Sequence, residues 1–266
     1  MHFFINGSIR KILTLLVLLA IVPALVIILY SGLELRRMAI ENTKREVLFL
    51  AQTMGEAQKG ITHSTHQILA TLAQTHAVRA MDSQRTSAIL RSVVYKNPAY
   101  LNVIAVDLNG EIVASGRPVE PTNLADRSHI QRALSEKKFI VGDYVVRRTT
   151  PHLPTLAFTY PLLDAKEEVI GVLAATLDLD DFAKFFNVTA LPLDSFVAVT
   201  DRNGTRLFYY PPREGTHPIG RPIVGKVWEA VKNAREPGIT IDHGSDGMRR
   251  IMAFQPVRLD GEEAPY

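Results

Sequence analysis

An uncharged run from Ile12 to Leu33, built mostly of Leu, Val, Ile and Ala and bounded by Lys11 and Glu34, constrains this chain more than any other feature. As a helix rising roughly 1.5 Å per residue it is about 33 Å long, enough to cross a hydrocarbon core of about 30 Å. Pro23 lies inside the run, where a membrane span tolerates it because neighbouring groups re-satisfy the freed carbonyl. A cleaved signal peptide is the competing reading, but its apolar region covers only roughly 7 to 15 residues and ends at a small-residue site that is not present here. The expected organisation is therefore a cytoplasmic N-terminus over 1–11 and a transmembrane helix over 12–33. Arg10 and Lys11 precede the span while Arg36, Arg37, Lys44 and Arg45 follow it, so positive charge alone would place the C-terminal side in the cytoplasm. Glu34, Glu41 and Glu46 are interleaved there, and long downstream domains are often translocated whatever their flanking charge.

From Glu34 to Met81 there is no proline, and Leu35, Met38, Val47, Leu50, Met54, Ile61, Ile68, Leu72 and Met81 recur mostly three, four or seven residues apart. That spacing predicts a long amphipathic stalk helix over 34–81, about 70 Å long, and a narrow apolar stripe of this kind pairs with a second copy. A homodimer through the stalk is expected. His63 and His66 stand three apart on one face, half of a metal site at most, and with no carboxylate pair nearby both are expected to face solvent.

The 30 Lys and Arg are spread among 27 Asp and Glu, for a formal charge of +3, which leaves nucleic-acid binding without an electrostatic footprint. There is no cysteine, so disulfide scaffolds and thiolate metal sites are excluded. An apolar share of 47% is that of a folded chain.

Beyond a second helix from Ser83 to Val94 the chain becomes strand-rich and repeats itself. A run from Leu101 to Val106, the turn Asp107-Leu-Asn-Gly110 and the segment Glu111 to Ser115 are echoed by Phe196 to Thr200, Asp201-Arg-Asn-Gly204 and Thr205 to Tyr209. Asn-Gly supplies the positive φ that a tight hairpin needs and the aspartate caps it, whereas a calcium loop would require a later glutamate that neither copy has. Each copy runs on through a loop and a helix (Ser128 to Ser135, Val224 to Arg235) into further strands. These are Leu156 to Leu163 and Val169 to Leu179 in the first copy, Ile239 to Asp242 and Arg250 to Val257 in the second. The fold class is α+β: two modules over 82–190 and 191–266, each an antiparallel sheet flanked by helices. The second is expected to continue toward a second transmembrane helix beyond Tyr266.

Several stretches in order carry a family likeness: the membrane span, the long helix, the first D-x-N-G hairpin, ADRSHIQRAL (125–134), the Gly-Asp-Tyr segment at 142–144, the FTYPL strand at 158–162 and GVLAATLDL at 171–179. Together they resemble the double Cache family, the tandem PAS-like sensing domain found outside the cytoplasm in bacterial receptors. The resemblance implies a periplasmic or extracytoplasmic sensor on the cell membrane whose first module binds a small molecule. It also implies an output domain such as a histidine kinase, a diguanylate cyclase or a methyl-accepting domain elsewhere in the protein. It outweighs the charge count in favour of export.

Between Arg127 and Thr155 the basic side chains Arg127, Arg132, Lys137, Lys138, Arg147 and Arg148 face only Glu136 and Asp143, which favours an anionic ligand, and arginine offers carboxylate a planar fork. By resemblance Arg127 and His129 fall on the family's contact segment, with Arg127 the carboxylate partner or else bracing the loop on Asp126 or Asp143. Tyr144 is expected to close a pocket or to pack in the core, Arg147 and Thr149 to cover a ligand, and Phe158 to be pocket floor or core. Thr176 stands where amino-acid-sensing relatives have an aspartate, which turns the expectation toward a monocarboxylate or another small anion. No cofactor and no metal are expected, and neither G-x-S-x-G nor H-E-x-x-H occurs, so this segment is read as a receptor and not a catalyst. A ligand-free structural or protein-interaction ectodomain is the alternative.

Overall fold

The structure, a computed structural model, describes residues 9–259 except 121, 149–152, 180–183, 185, 187, 189–190, 193, 213–216 and 245–246. The chain divides into two compact units, Met1–Val47 and Leu48–Tyr266. Helix α1, Ile9–Ala73, begins in the first and ends in the second. Its N-terminal part is the one helix among the described residues long and apolar enough to cross a membrane, with a mean hydropathy of 3.2 in its most apolar window and none of that window buried.

The long helix stops short of the expected Met81. Thr75 adopts an extended backbone (ψ 137°) with its hydroxyl donating to the Leu72 carbonyl, and a single turn follows as α2, His76–Arg79. No Gly or Pro marks this break; a threonine able to bond back to the preceding turn suffices. Helix α3, Ser83–Lys96, then starts on Asp82, whose carboxylate accepts the Arg85 N–H at 3.0 Å in an ordinary N-cap.

The first module is built on one antiparallel sheet of five strands: β1 (Tyr100–Asp107), β2 (Ile112–Ser115), β3 (Ile140–Val146), β4 (Pro154–Leu163) and β5 (Val169–Asp178), in the order β2-β1-β5-β4-β3. Helix α4, Ser128–Glu136, connects β2 to β3. Strands β4 and β5 are buried along most of their length on both faces, so they read as near-continuous apolar runs instead of alternating ones. Register sorts the two faces. Val103, Ala175 and Phe158 lie opposite one another in adjacent strands and belong to a cluster with Leu69 and Leu72 of α1, Val78 of α2, and Leu90 and Val94 of α3. Their neighbours Ile104, Ala174 and Ile140, with Val106 and Val172, form the opposite face, covered by Ile130 and Ala133 of α4.

The distal end of α1 docks with few loose ends. Thr62 and Thr65 are buried, and each hydroxyl donates to the carbonyl four residues earlier, at 3.1 and 2.8 Å. Thr65 also shares a 2.9 Å hydrogen bond with the Tyr100 hydroxyl. His66 departs from the expected solvent exposure. It stacks on Phe139 with ring centres 4.6 Å apart and lies 5.6 Å from Tyr160, while His63 stays exposed.

The second module repeats the first turn closely. In both copies the Asp Oδ1 accepts two N–H groups, Asn109 and Glu111 in one and Asn203 and Thr205 in the other, at 2.8 to 2.9 Å. In both the turn glycine has φ near +80° and its carbonyl accepts a returning N–H at 2.8 Å, from Leu124 or from Ile223. Beyond that the halves differ. β6 (Val197–Thr200) pairs with β7 (Arg206–Tyr210) and β8 (Gly238–His243) with β9 (Arg249–Phe254), but among the described residues the two hairpins are separate ladders and not the single sheet expected. Only β7 contributes fully buried side chains; β8 and β9 are half-exposed throughout or more open, so no shared core draws the hairpins into one layer. Helix α5 is reduced to Lys226–Val231, behind Gly225 at φ +85°.

Candidate functional site

The face under α4 holds the polar groups. Asn102, Thr176 and Ala157 are register partners across β1, β5 and β4, and Thr159 lies two residues on from Ala157 toward α4. Asn102 is buried; its side chain donates to Ser115 Oγ at 2.9 Å and accepts the Arg117 N–H at 3.0 Å. The Thr176 hydroxyl donates to the Asn102 carbonyl at 3.3 Å, and the fully buried Thr159 donates to the His129 carbonyl at 3.0 Å, tying the first turn of α4 to the sheet. Of this row only Thr176 is among the residues singled out from the sequence; Asn102 and Thr159 lie on other strands and join it through cross-strand register, which alternation along one strand does not give.

Arg127 is the N-cap residue of α4 and is half-buried. Its guanidinium donates to the Val146 carbonyl at 3.3 Å and, among the described residues, meets no carboxylate within ion-pair distance. The two bracing partners considered for it are engaged elsewhere: Asp126 with Arg148 and Asp143 with Arg202. Burial, followed by the like charge of Arg148, moves the Arg127 pKa down from its ordinary value.

His129 is the second residue of α4, 6% exposed, with Nδ1 lacking any hydrogen-bond partner. Burial first and Arg127 second lower its pKa to about 4, so the ring is neutral at pH 7. It rests directly over Gly142 of β3, where a Cβ would come 3.1 Å from that of His129. The same Cβ would come still closer, 2.9 Å, to the Ala157 carbonyl oxygen, so backbone and ring together favour glycine there.

Three of the seven candidate residues, Arg127, His129 and Thr176, therefore share the α4 side of the sheet. Phe158 does not: it is fully buried on the other face, stacked at 6.1 Å on Phe139, and is core. Tyr144 packs against the same cluster as Phe158, its ring against Gly220 and its N–H on Asp201 Oδ2 at 3.1 Å. Arg147 is half-exposed at the end of β3, its N–H on the Leu153 carbonyl. Thr149 lies outside the described residues. The local excess of positive charge is dispersed. Arg132 and Lys138 pair with Glu136, Lys137 with Glu168 at 3.5 Å from beyond the counted stretch, and Arg148 with Asp126.

A five-stranded antiparallel sheet in the order 2-1-5-4-3, with helices on both faces and followed by a second module that repeats its turn, defines the tandem sensory class. Residues 32–262 match the Cache domain in its double form, and the chain belongs to that family. Among curated proteins it is 27% identical to sporulation kinase D of Bacillus subtilis (strain 168) over 131 residues, 49% of this chain and 25% of the relative, so it spans about a quarter of that protein's length. Among solved structures it resembles the extracellular domain described as that of the histidine kinase rpHK1S-Z16, with a TM-score of 0.67 and 17% identity over 83% of this chain and 91% of the other. The periplasmic sensory domain of the Campylobacter jejuni chemoreceptor Tlp1 gives 0.60 and 12% over 83% and 92%. The ligand-binding domain of C. jejuni Tlp3 in complex with L-valine gives 0.51 and 14% over 65% and 73%. The chain is a sensor module of signal-transduction receptors, and modules of this family are not enzymes.

Proposed function

We propose that this chain is the extracytoplasmic sensing region of a membrane receptor, anchored by residues 12–33, which binds a small anionic molecule, a carboxylate by preference, under α4 of the first module. One observation carries the ligand class. Arg127 presents a half-buried guanidinium with no carboxylate partner among the described residues, at the N-terminus of a nine-residue helix, a position that itself favours negative charge. The neutral His129 beside it offers an unpartnered Nδ1, and Thr176 brings no charge to meet an ammonium group. That Tlp3 binds L-valine on a similar fold supports a small ligand, while the threonine argues for a monocarboxylate over an amino acid. The likeness to a sporulation kinase and to the extracellular domain of a histidine kinase supports a cytoplasmic histidine kinase elsewhere in the protein, with a diguanylate cyclase as the other output.

Thermal shift of the detergent-solubilised chain, screened against mono- and dicarboxylates, tests the pocket. A stabilising carboxylate should bind roughly 10- to 100-fold more weakly to Arg127→Ala, the loss expected for one charge-assisted contact. A hit untouched by that change removes Arg127 from the site, and a screen without hits removes the anion. Export is tested separately by a reporter enzyme fused after Gly60, where activity confined to the cytoplasm overturns it. Homodimerisation is proposed along the exposed Leu35, Met38 and Phe49 of α1, and cross-linking that finds only monomer would exclude it.

A further inference from the structure

The two D-x-N-G turns are alike locally, but the second does one thing more. Asp107 lies half-exposed beside Leu108, which is 56% exposed to solvent. Asp201 is only 5% exposed, and its Oδ2, left over after Oδ1 has capped the turn, accepts the Tyr144 N–H of the first module at 3.1 Å. Arg202, in the place of Leu108, reaches across the same boundary. Its Nη2 donates to the Val141 carbonyl at 2.8 Å and its Nε stands 3.0 Å from Asp143 Oδ1, an ion contact at poor hydrogen-bonding angle, since that oxygen has no directed partner. Gly220, at φ +79°, lets the Tyr144 ring lie flush against the second module.

All four contacts fall on one short stretch of the edge strand β3, and that stretch is where its pairing with β4 slips by a bulge, between Val141 and Tyr144. A bulge on an edge strand leaves main-chain groups without ladder partners. Here the second module supplies them: a carboxylate for the Tyr144 N–H and a guanidinium for the Val141 carbonyl. Gly142, between these residues, is the floor on which His129 of α4 rests. The bulge is thus held on one side by the second module and read on the other by the helix that carries Arg127 and His129.

We propose that the Asp201–Gly204 turn is a latch between modules, fixing the β3 bulge and through Gly142 the first turn of α4, so that a shift of α4 is passed to the second module along this route. The contact stands on geometry alone; its signalling role rests on the reading of α4 as the helix over the ligand. Amide hydrogen exchange of the full chain in lipid nanodiscs tests the latch without any ligand, so an absence of carboxylate binding and a failure of the latch are separate results. Arg202→Ala should speed exchange about tenfold or more in peptides covering 127–133 and 140–146, with β1 and the 107–110 turn unchanged. Arg202→Lys, which keeps the charge but lacks the fork, should fall between, and Leu108→Ala should change neither peptide. Acceleration confined to 197–210 overturns the proposal. Uniform acceleration that includes β1 overturns it too, by showing plain loss of stability in place of a directed path.

Discussion

At the scale of single residues His129 is the most informative side chain, because its chemistry is set by position more than by type. With a pKa near 4 in the folded chain against about 6.5 unfolded, it binds a proton more readily when the chain is unfolded. Its contribution to stability is complete above about pH 6.5 and disappears as the pH falls toward 4, an effect on the order of 3 kcal/mol. Denaturant unfolding between pH 7 and pH 4 should show this slope in the native chain and a flatter one in His129→Gln; parallel slopes would mean that the ring titrates normally. The carboxylates held below their usual range, Asp126 by Arg148 and Glu136 by Arg132, begin to lose their contribution as the pH falls through their ordinary values of 3.8 and 4.5, and should do so in both proteins. The sequence singles out His129 only through the match of its segment to a family motif. That the ring is buried over a glycine is not a local property: it depends on a strand whose Gly142 comes 13 residues later, 142 against 129, and on which of its residues faces α4.

At the scale of elements, the twin turns carry the plainest prediction. Gly110 has φ +84°, and a Cβ there would stand 2.6 Å from the Ala125 Cα, so Gly110→Ala should cost upward of about 1 to 3 kcal/mol from the backbone alone, with the clash in addition. Calorimetry that found the variant as stable as the native chain would deny the close packing of the turn on the 124–125 segment. Hairpins, caps and most helices were legible because their signals are local: Asn-Gly, an aspartate N-cap, runs of Val and Leu. What the local pattern missed has a shared cause. The strand IVGDYVV is short, interrupted by glycine and aspartate, and bulged, so neither alternation nor an apolar run announces it. Without β3 the face on which Tyr144 lies cannot be followed from β4, and without the register of β4 on β5 neither can that of Phe158, so for both the choice between pocket and core stays open in the sequence. The basic excess is smaller than the stretch alone suggests for a similar reason, since Glu168 and Asp126, which pair with Lys137 and Arg148, lie outside the residues over which charge is counted.

At the scale of the whole molecule, the first module cannot be cut out at the boundary its own strands suggest. A fragment beginning at residue 82 would contain every strand of the five-stranded sheet, yet the core cluster on one face also needs Leu69 and Leu72 from α1 and Val78 from α2. Leu69 and Val78 are fully buried and Leu72 is 6% exposed. At about 1.5 to 3 kcal/mol each, these three side chains are worth about 5 to 9 kcal/mol in all, the size of a typical domain's entire stability of about 5 to 15 kcal/mol. Their loss would also open that face of the core cluster to water. A fragment starting at Met38 should therefore unfold cooperatively on heating, while one starting at Asp82 should show no cooperative transition by circular dichroism. If the shorter fragment melts cooperatively within a few degrees of the longer one, the distal part of α1 is packed on the module without being needed by it. In that case a displacement of α1 could not be communicated through its core, and the latch at Arg202 would be left as the route by which the first module reports.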